Sequence, residues 1–445
     1  MQKAIRGRAL TYRDNPFTRP IKDCLYYEED ALLVMEAGQI AGFGAADDLL
    51  HRLSPEVPVT RYEDALICPG FIDCHVHYPQ TEMIGAYGKQ LIDWLNKYTF
   101  VAEQKFADKA YALATAEVFL KELLRAGTTT AAVFCTVHPQ SVDAFFETAA
   151  KINMRTIAGK LLMDRQAPEA LRDTAQRGYD DSKALMEKWH GAGRALYAVT
   201  PRFAPTSTEA QMELAGTLWR EHPGSYLQSH ISENLSEIDW AMSLFPGRKS
   251  YVDIYDHYGQ LGPRAIYGHG VHFAEEDFCA FAETGTALAH CPTSNLFLGS
   301  GLFRLERAMT GTPPVRTGLA TDLGGGTNFS QLVSMNEAYK TAQLNGFALN
   351  AHQAFYLATR GSAEALYLED KIGSLGVGFE ADVIVLDLKA TPLLSYRTGY
   401  AESLEELLFV LMMLGDDRAV RATYVAGERV YERDLEIGAG NFSGF

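Results

Sequence analysis

Along the middle of the chain two hydrophobic patterns alternate: short apolar runs of strand length, and longer stretches in which apolar residues return every third or fourth position. Eight short runs centre on Phe71–His75, Thr128–Phe134, Arg155–Leu162, Leu196–Val199, Tyr226–His230, Ala265–Gly268, Thr286–His290 and Gly318–Thr321. Apolar runs that lack a polar face suit strands buried on both sides, and helical stretches between them predict parallel βα units. Lys105–Arg125 reads as an amphipathic helix stopped by Gly127, and Thr208–Glu221 as one begun by Ser207 or Thr208. Eight such units over roughly 310 residues predict an α/β fold with a TIM-like (β/α)8 barrel over residues 68–378. A doubly wound sheet is the competing architecture, but no complete G-x-G-x-x-G follows a strand, and Gly324-Gly325-Gly326 lacks that spacing.

The two ends of the chain read differently. Residues 31–44 form two short strands around Ala37-Gly38, residues 381–388 one buried strand, and Val420–Val425 turns at Ala426-Gly427 into a strand over residues 429–431. An isolated two-stranded hairpin is marginal in water. Residues 1–67 and 379–445 are therefore expected to combine into one small β-sandwich domain beside the barrel.

Composition narrows the partners. The 445 residues are 47% hydrophobic and 22% charged, which is ample for a core. The formal net charge of −16 offers no positive field for a phosphate backbone, so no nucleic-acid partner is expected. The six cysteines are never closer than the six-residue step from Cys68 to Cys74, which excludes C-x-x-C zinc ribbons and redox pairs and suits the reducing cytoplasm. No apolar segment of secretory type precedes Asp14. The apolar stretch Leu407–Leu414 falls far short of the roughly 18 residues a membrane span needs, so no membrane partner is expected.

The polar residues at the carboxyl ends of the predicted strands carry the chemistry. The first ends in His75-Val76-His77, the fifth in His230, the sixth in His269 and the eighth in Asp322. In a barrel every strand-to-helix junction opens on one face, so these groups converge. Three neutral imidazoles and a carboxylate suit a divalent ion, zinc first with iron or manganese as alternatives, and leave a position for water. Glu233, three residues past His230, is placed either to shuttle protons beside such an ion or to stabilise a helix N-terminus. His272 and His290 lie close enough to strand ends to support the ligands, whereas His138, His190, His222, His257 and His352 read as surface or capping residues. G-x-S-x-G, H-E-x-x-H, a Walker A lysine motif and the H-x-E…P-C-x-x-C pattern of cytidine-type deaminases are all missing.

The run Pro69-Gly70-Phe71-Ile72-Asp73-Cys74-His75-Val76-His77, with the later His230, His269 and Thr321-Asp322, resembles the amidohydrolase superfamily of metal-dependent (β/α)8 hydrolases. The likeness covers essentially the whole chain. Within it, His77-Tyr78-Pro79-Gln80, Thr200-Pro201-Arg202-Phe203, Ser229-His230-Ile231-Ser232-Glu233-Asn234, His290-Cys291-Pro292-Thr293-Ser294-Asn295 and Thr321-Asp322-Leu323-Gly324-Gly325 are similar to the guanine deaminase family. That resemblance implies one zinc ion per chain on His75, His77, His230 and Asp322. It makes Glu233 the proton shuttle, Asp322 a catalytic as well as a ligating group, and His269 a residue that polarises the substrate or steadies the attacking hydroxide. Gln80, Arg202 and Phe203 fall on substrate-binding positions. Members with two metals carry a modified lysine at the fourth strand; here that strand ends in Thr200-Pro201-Arg202 and Lys160 belongs to the third. Cys74 is given no role. The implied reaction is hydrolytic deamination of a small molecule, guanine, to xanthine and ammonia in purine catabolism, by a cytoplasmic homodimer. Deamination of a related ring (a pterin, 8-oxoguanine or a triazine) is the alternative. A non-enzymatic scaffold is disfavoured because every ligand position is filled.

Overall fold

The structure, a computed structural model, describes residues 2–87 and 91–433. Four strands precede the barrel: β1 (Lys3–Tyr12), β2 (Leu25–Glu36), β3 (Gln39–Ala45) and β4 (Val59–Pro69). The barrel strands are β5 (Phe71–His77), β6 (Thr128–Phe134), β7 (Arg155–Gly159) with its short continuation β8 (Leu161–Leu162), β9 (Ala195–Pro201), β10 (Tyr226–Ile231), β11 (Ala265–His269), β12 (Ala287–His290) and β13 (Thr317–Leu319). Three more follow: β14 (Val383–Asp387), β15 (Val420–Val425) and β16 (Glu428–Glu432).

The barrel strands run parallel in the order β5-β6-β7-β9-β10-β11-β12-β13, with β8 paired to β9. Every residue of β5, β6 and β7 is buried, which is why their sequences show no alternation. The ring closes through the residues just past β13: Thr321 donates its N–H to the Asp73 carboxylate at 3.1 Å, and Asp322 its N–H to the His75 carbonyl at 2.9 Å. The connecting helices end where local chemistry dictates. Asp108 caps the helix Lys109–Arg125 through the Ala110 N–H, and Gly127 takes φ +83° just beyond it. Thr208 caps Glu209–Glu221 through the Gln211 N–H.

Both chain ends build one seven-stranded sheet, ordered β16-β15-β14-β4-β1-β2-β3, in which β4 pairs with β1 in parallel and with β14 antiparallel. Its two hairpins turn at Ala37-Gly38 (φ +50° and +83°) and at Ala426-Gly427 (φ +46° and +75°), the doubly positive backbone that matches strand twist. The apolar run 407–414 lies in the helix Leu404–Leu414, which packs on Gln331–Leu344 with Phe409 edge-on to Tyr339 at 5.1 Å. Among the described residues no helix is long and apolar enough to cross a membrane.

Candidate active site

The carboxyl ends of β5, β10 and β11 and the turn after β13 bring four histidines and one aspartate together. The Nε2 atoms of His75, His77 and His230 stand 3.1–3.3 Å from one another, and Asp322 Oδ1 lies 3.4 Å from His75 and 3.3 Å from His77. His77 reaches the cluster although the β5–β6 register slips between Asp73 and Val76, a bulge that re-aims this strand end. His269 stands to one side, its Nε2 at 3.4 Å from Glu233 and 3.7 Å from Asp322. His75, His230, His269 and Asp322 offer ligand atoms all within 4.8 Å of one another.

These groups fit a metal. His230 Nδ1–H donates to the Arg202 carbonyl at 2.7 Å, so its Nε2 presents a bare lone pair to the cluster. Burial lowers the proton affinity of all three clustered histidines, taking His77 to about 4 and His230 well below its ordinary value. Unprotonated nitrogens converging at hydrogen-bond distance repel unless a cation sits among them, and metal bonds of about 2.0–2.2 Å produce ligand separations of about this size. Burial also opposes the charge on Asp322, but the facing His75 and His77, with His269 beside them, overrule it and hold this carboxyl well below the usual range.

The backbone is shaped for this convergence. His269 and Asp322 adopt φ +77° and +48°, and Ser232, before Glu233, φ +50°, conformations that non-glycine residues rarely hold. Gly268 lets β11 pass so close to the His75 ring that a Cβ there would stand 2.7 Å from Cε1.

Glu233 is buried and accepts a hydrogen bond from Ser300 Oγ at 3.1 Å. Burial first, opposed by His269 and helped by Asp322, raises its carboxyl to about 7, where it can take and return protons near neutrality. Burial pulls His269 down, but Glu233 and Asp322 overrule it and leave its proton affinity raised. Asn295 fixes that ring through Nδ1 at 2.9 Å. The cluster opens into a pocket of roughly 420 Å³, counting solvent at its mouth, walled by Gln80, Trp94, Leu95, Arg202, Phe203 and Leu298.

Every residue singled out for the site thus falls on this pocket or just behind it. Cys74 does not join; its thiol lies 3.8 Å from the Ser362 carbonyl. His290 is buried against Phe303, ring centroids 4.7 Å apart, and does not touch the cluster, while His272 Nε2–H donates to the Ser300 carbonyl at 2.8 Å. His352, read as a surface or capping residue, is instead buried and 3.1 Å from the Tyr12 hydroxyl. Sequence reasoning passed over four groups: Asp73, which braces the strand ends through Thr321 and His75; Asn295; Ser300; and Glu103, which binds Arg202. Asp73 and Asn295 sit inside the motifs quoted for the resemblance, whereas nothing local marks Glu103.

Residues 66–430 match the Amidohydrolase family. The chain belongs to that family. This amidohydrolase is 49% identical to guanine deaminase of Escherichia coli (strain K12) over 97% of its own length and 98% of that protein. It is 38% identical to a probable guanine deaminase of Deinococcus radiodurans, covering 98% of this chain and all of that one. The solved E. coli guanine deaminase superposes with a TM-score of 0.95 over 97% of the amidohydrolase and 100% of that chain, at 48% identity. The family is metal-dependent, and this member carries the histidine and aspartate group to hold an ion.

Proposed function

We propose that this amidohydrolase converts guanine and water to xanthine and ammonia, a step of purine catabolism, using one zinc ion held by His75, His77, His230 and Asp322. The end-to-end identity of 49% with a guanine deaminase carries the reading. When bound, zinc acts as a Lewis acid and lowers the pKa of water to about 7, so that hydroxide is available at neutral pH.

Glu233, with its carboxyl raised to about 7, takes one proton from the attacking water and gives it to the ring nitrogen; it then passes the remaining hydroxyl proton to the amine, which departs as ammonia while the C2 carbonyl forms. His269, fixed by Asn295 and drawn toward its protonated form by two carboxylates, steadies charge on the attacking side. Asp322 keeps its negative charge and balances that of the ion. Phe203, edge-on to Trp240 at 5.7 Å, supplies a flat wall for the purine. Arg202 is a donor for the O6 carbonyl, and Gln80 completes the polar edge.

The likeness to the family also supports a homodimer in the cytoplasm; light scattering that returns the mass of one chain would remove the dimer. Incubation with guanine should release xanthine and ammonia in equal amounts. Faster turnover of a pterin, 8-oxoguanine or a triazine than of guanine would reassign the substrate.

A further inference from the structure

We propose that Glu103 is a positioning residue that sets the hydrogen-bond polarity of the pocket wall, so that Gln80 and Arg202 together read a lactam edge, a ring carbonyl next to an N–H. Glutamate is seldom fully buried without a partner. Glu103 ends the short helix Phe100–Glu103, lies on no barrel strand and is 1% exposed. Both its oxygens take the same nitrogen of Arg202, Nη1, at 2.9 and 2.8 Å. The guanidinium lies over the Phe100 ring, 5.5 Å from its centroid, so it is held by one clamp of charge and one of packing.

Gln80 lines the same pocket, and its amide favours the charged form of that carboxylate. An ionised carboxylate can only accept, so it draws the NH2 end of the amide, in keeping with Oε1 lying against Gly324. The NH2 end of Gln80 then faces Glu103, which leaves Oε1 at the far end, beside Gly324. A Cβ at Gly324 would stand 1.9 Å from that oxygen, and the glycine holds φ +116°. Gln80 therefore presents an acceptor. Arg202 can only donate, and among the described residues its Nε and Nη2 have no hydrogen-bond partner. Donor and acceptor side by side complement O=C–N–H. They oppose an amino group beside a bare ring nitrogen, which offers the reverse order. Glu103 touches no reacting atom; it acts by denying Gln80 its other orientation and Arg202 its other rotamers.

The inference rests on the guanine reading, and the test separates the two. The wild type, Glu103→Gln and Glu103→Asp are assayed with guanine and with 2-aminopurine, which keeps the reacting C2 amine but lacks the lactam. 2-Aminopurine is measured as substrate and as competitive inhibitor of guanine turnover. Metal content and thermal melting are recorded for each protein. Loss of a charge-assisted contact is worth about 10- to 150-fold. Glu103→Gln should therefore cut the preference for guanine over 2-aminopurine by at least about 10-fold, mainly through KM, with metal content unchanged. Breaking a buried pair is destabilising. Glu103→Asp keeps the charge on a shorter arm, and an intermediate loss of preference, about 3- to 10-fold, is expected there. An unchanged preference in whichever variant folds, or an equal fall for both substrates, overturns the positioning role and leaves the guanine reading standing. A wild type that does not deaminate guanine overturns both.

Discussion

The two ends of the barrel both bury charge, and they do so in opposite ways. At the amino-terminal end Arg155 and Arg194 meet Glu380 and Asp382: Arg155 Nε donates to Glu380 at 2.7 Å, Arg194 Nε to Glu380 and Nη1 to Asp382, each at 3.1 Å. Asp382 also accepts the Ala426 N–H at 2.8 Å, and its carbonyl takes the Gly70 N–H at 2.9 Å. Two cations face two anions with their hydrogen bonds filled, tying barrel to sheet. At the carboxyl-terminal end, imidazoles stripped of protons by burial face one another and a single aspartate. The first set is complete within the chain; the second is complete only with a cation from outside. Buried charge that satisfies itself holds a fold together, whereas buried charge left incomplete marks where a ligand belongs.

The largest effect expected from breaking this contrast is on folding. Removing residues 379–445 takes away β14, the antiparallel neighbour of β4, with both carboxylates of the lower network, and should leave the protein insoluble. A soluble, active truncation would show that the lower end does not depend on its partner sheet. Next, Arg194→Met should cost about 3–5 kcal/mol in chemical denaturation by leaving Glu380 and Asp382 short of one cation, while metal content and turnover per folded molecule stay near wild type. Glu233→Gln should do the reverse: turnover falls by about 10²-fold or more with metal and stability kept. Near-normal turnover would return Glu233 to a helix-terminal role.

The smallest effect is a pH dependence of the lower end. Burial raises the Glu380 carboxyl, but hydrogen bonds and charge from Arg155 and Arg194 overrule it and hold it below its ordinary value of 4.5. A lowered folded-state pKa stabilises above the unfolded value and is lost as the pH falls through the folded one. Melting temperature should therefore drop below about pH 4.5, and less steeply in Glu380→Gln. An equally steep drop in that variant would assign the acid sensitivity elsewhere.

The barrel strands are legible in the sequence because strands buried on both faces leave unbroken apolar runs between helical periods. β1 and β4 are not. Asp64 interrupts β4 with φ +52°, and the β1–β4 register slips between Arg6 and Arg8, so neither strand keeps a readable alternation. The histidines, Glu233 and Asp322 stand out as chemically distinctive residues at strand ends. Glu103 does not, since it works by contact with Arg202, 99 residues away, from a short helix that is neither periodic nor part of a strand. Asn295 and Ser300 likewise gain meaning only when folding sets them against His269 and Glu233. His352 is buried against Tyr12, 340 positions away, a partner that nothing in its local pattern announces.

The claim that the upper cluster is completed by one cation is tested most directly by titrating zinc into chelator-treated protein while xanthine formation from guanine and bound metal are both measured. Activity should rise in proportion to zinc and level off at one ion per chain, and His230→Ala should neither hold the ion nor gain activity. Full turnover in metal-free protein, or a plateau only at two ions per chain, would contradict the account.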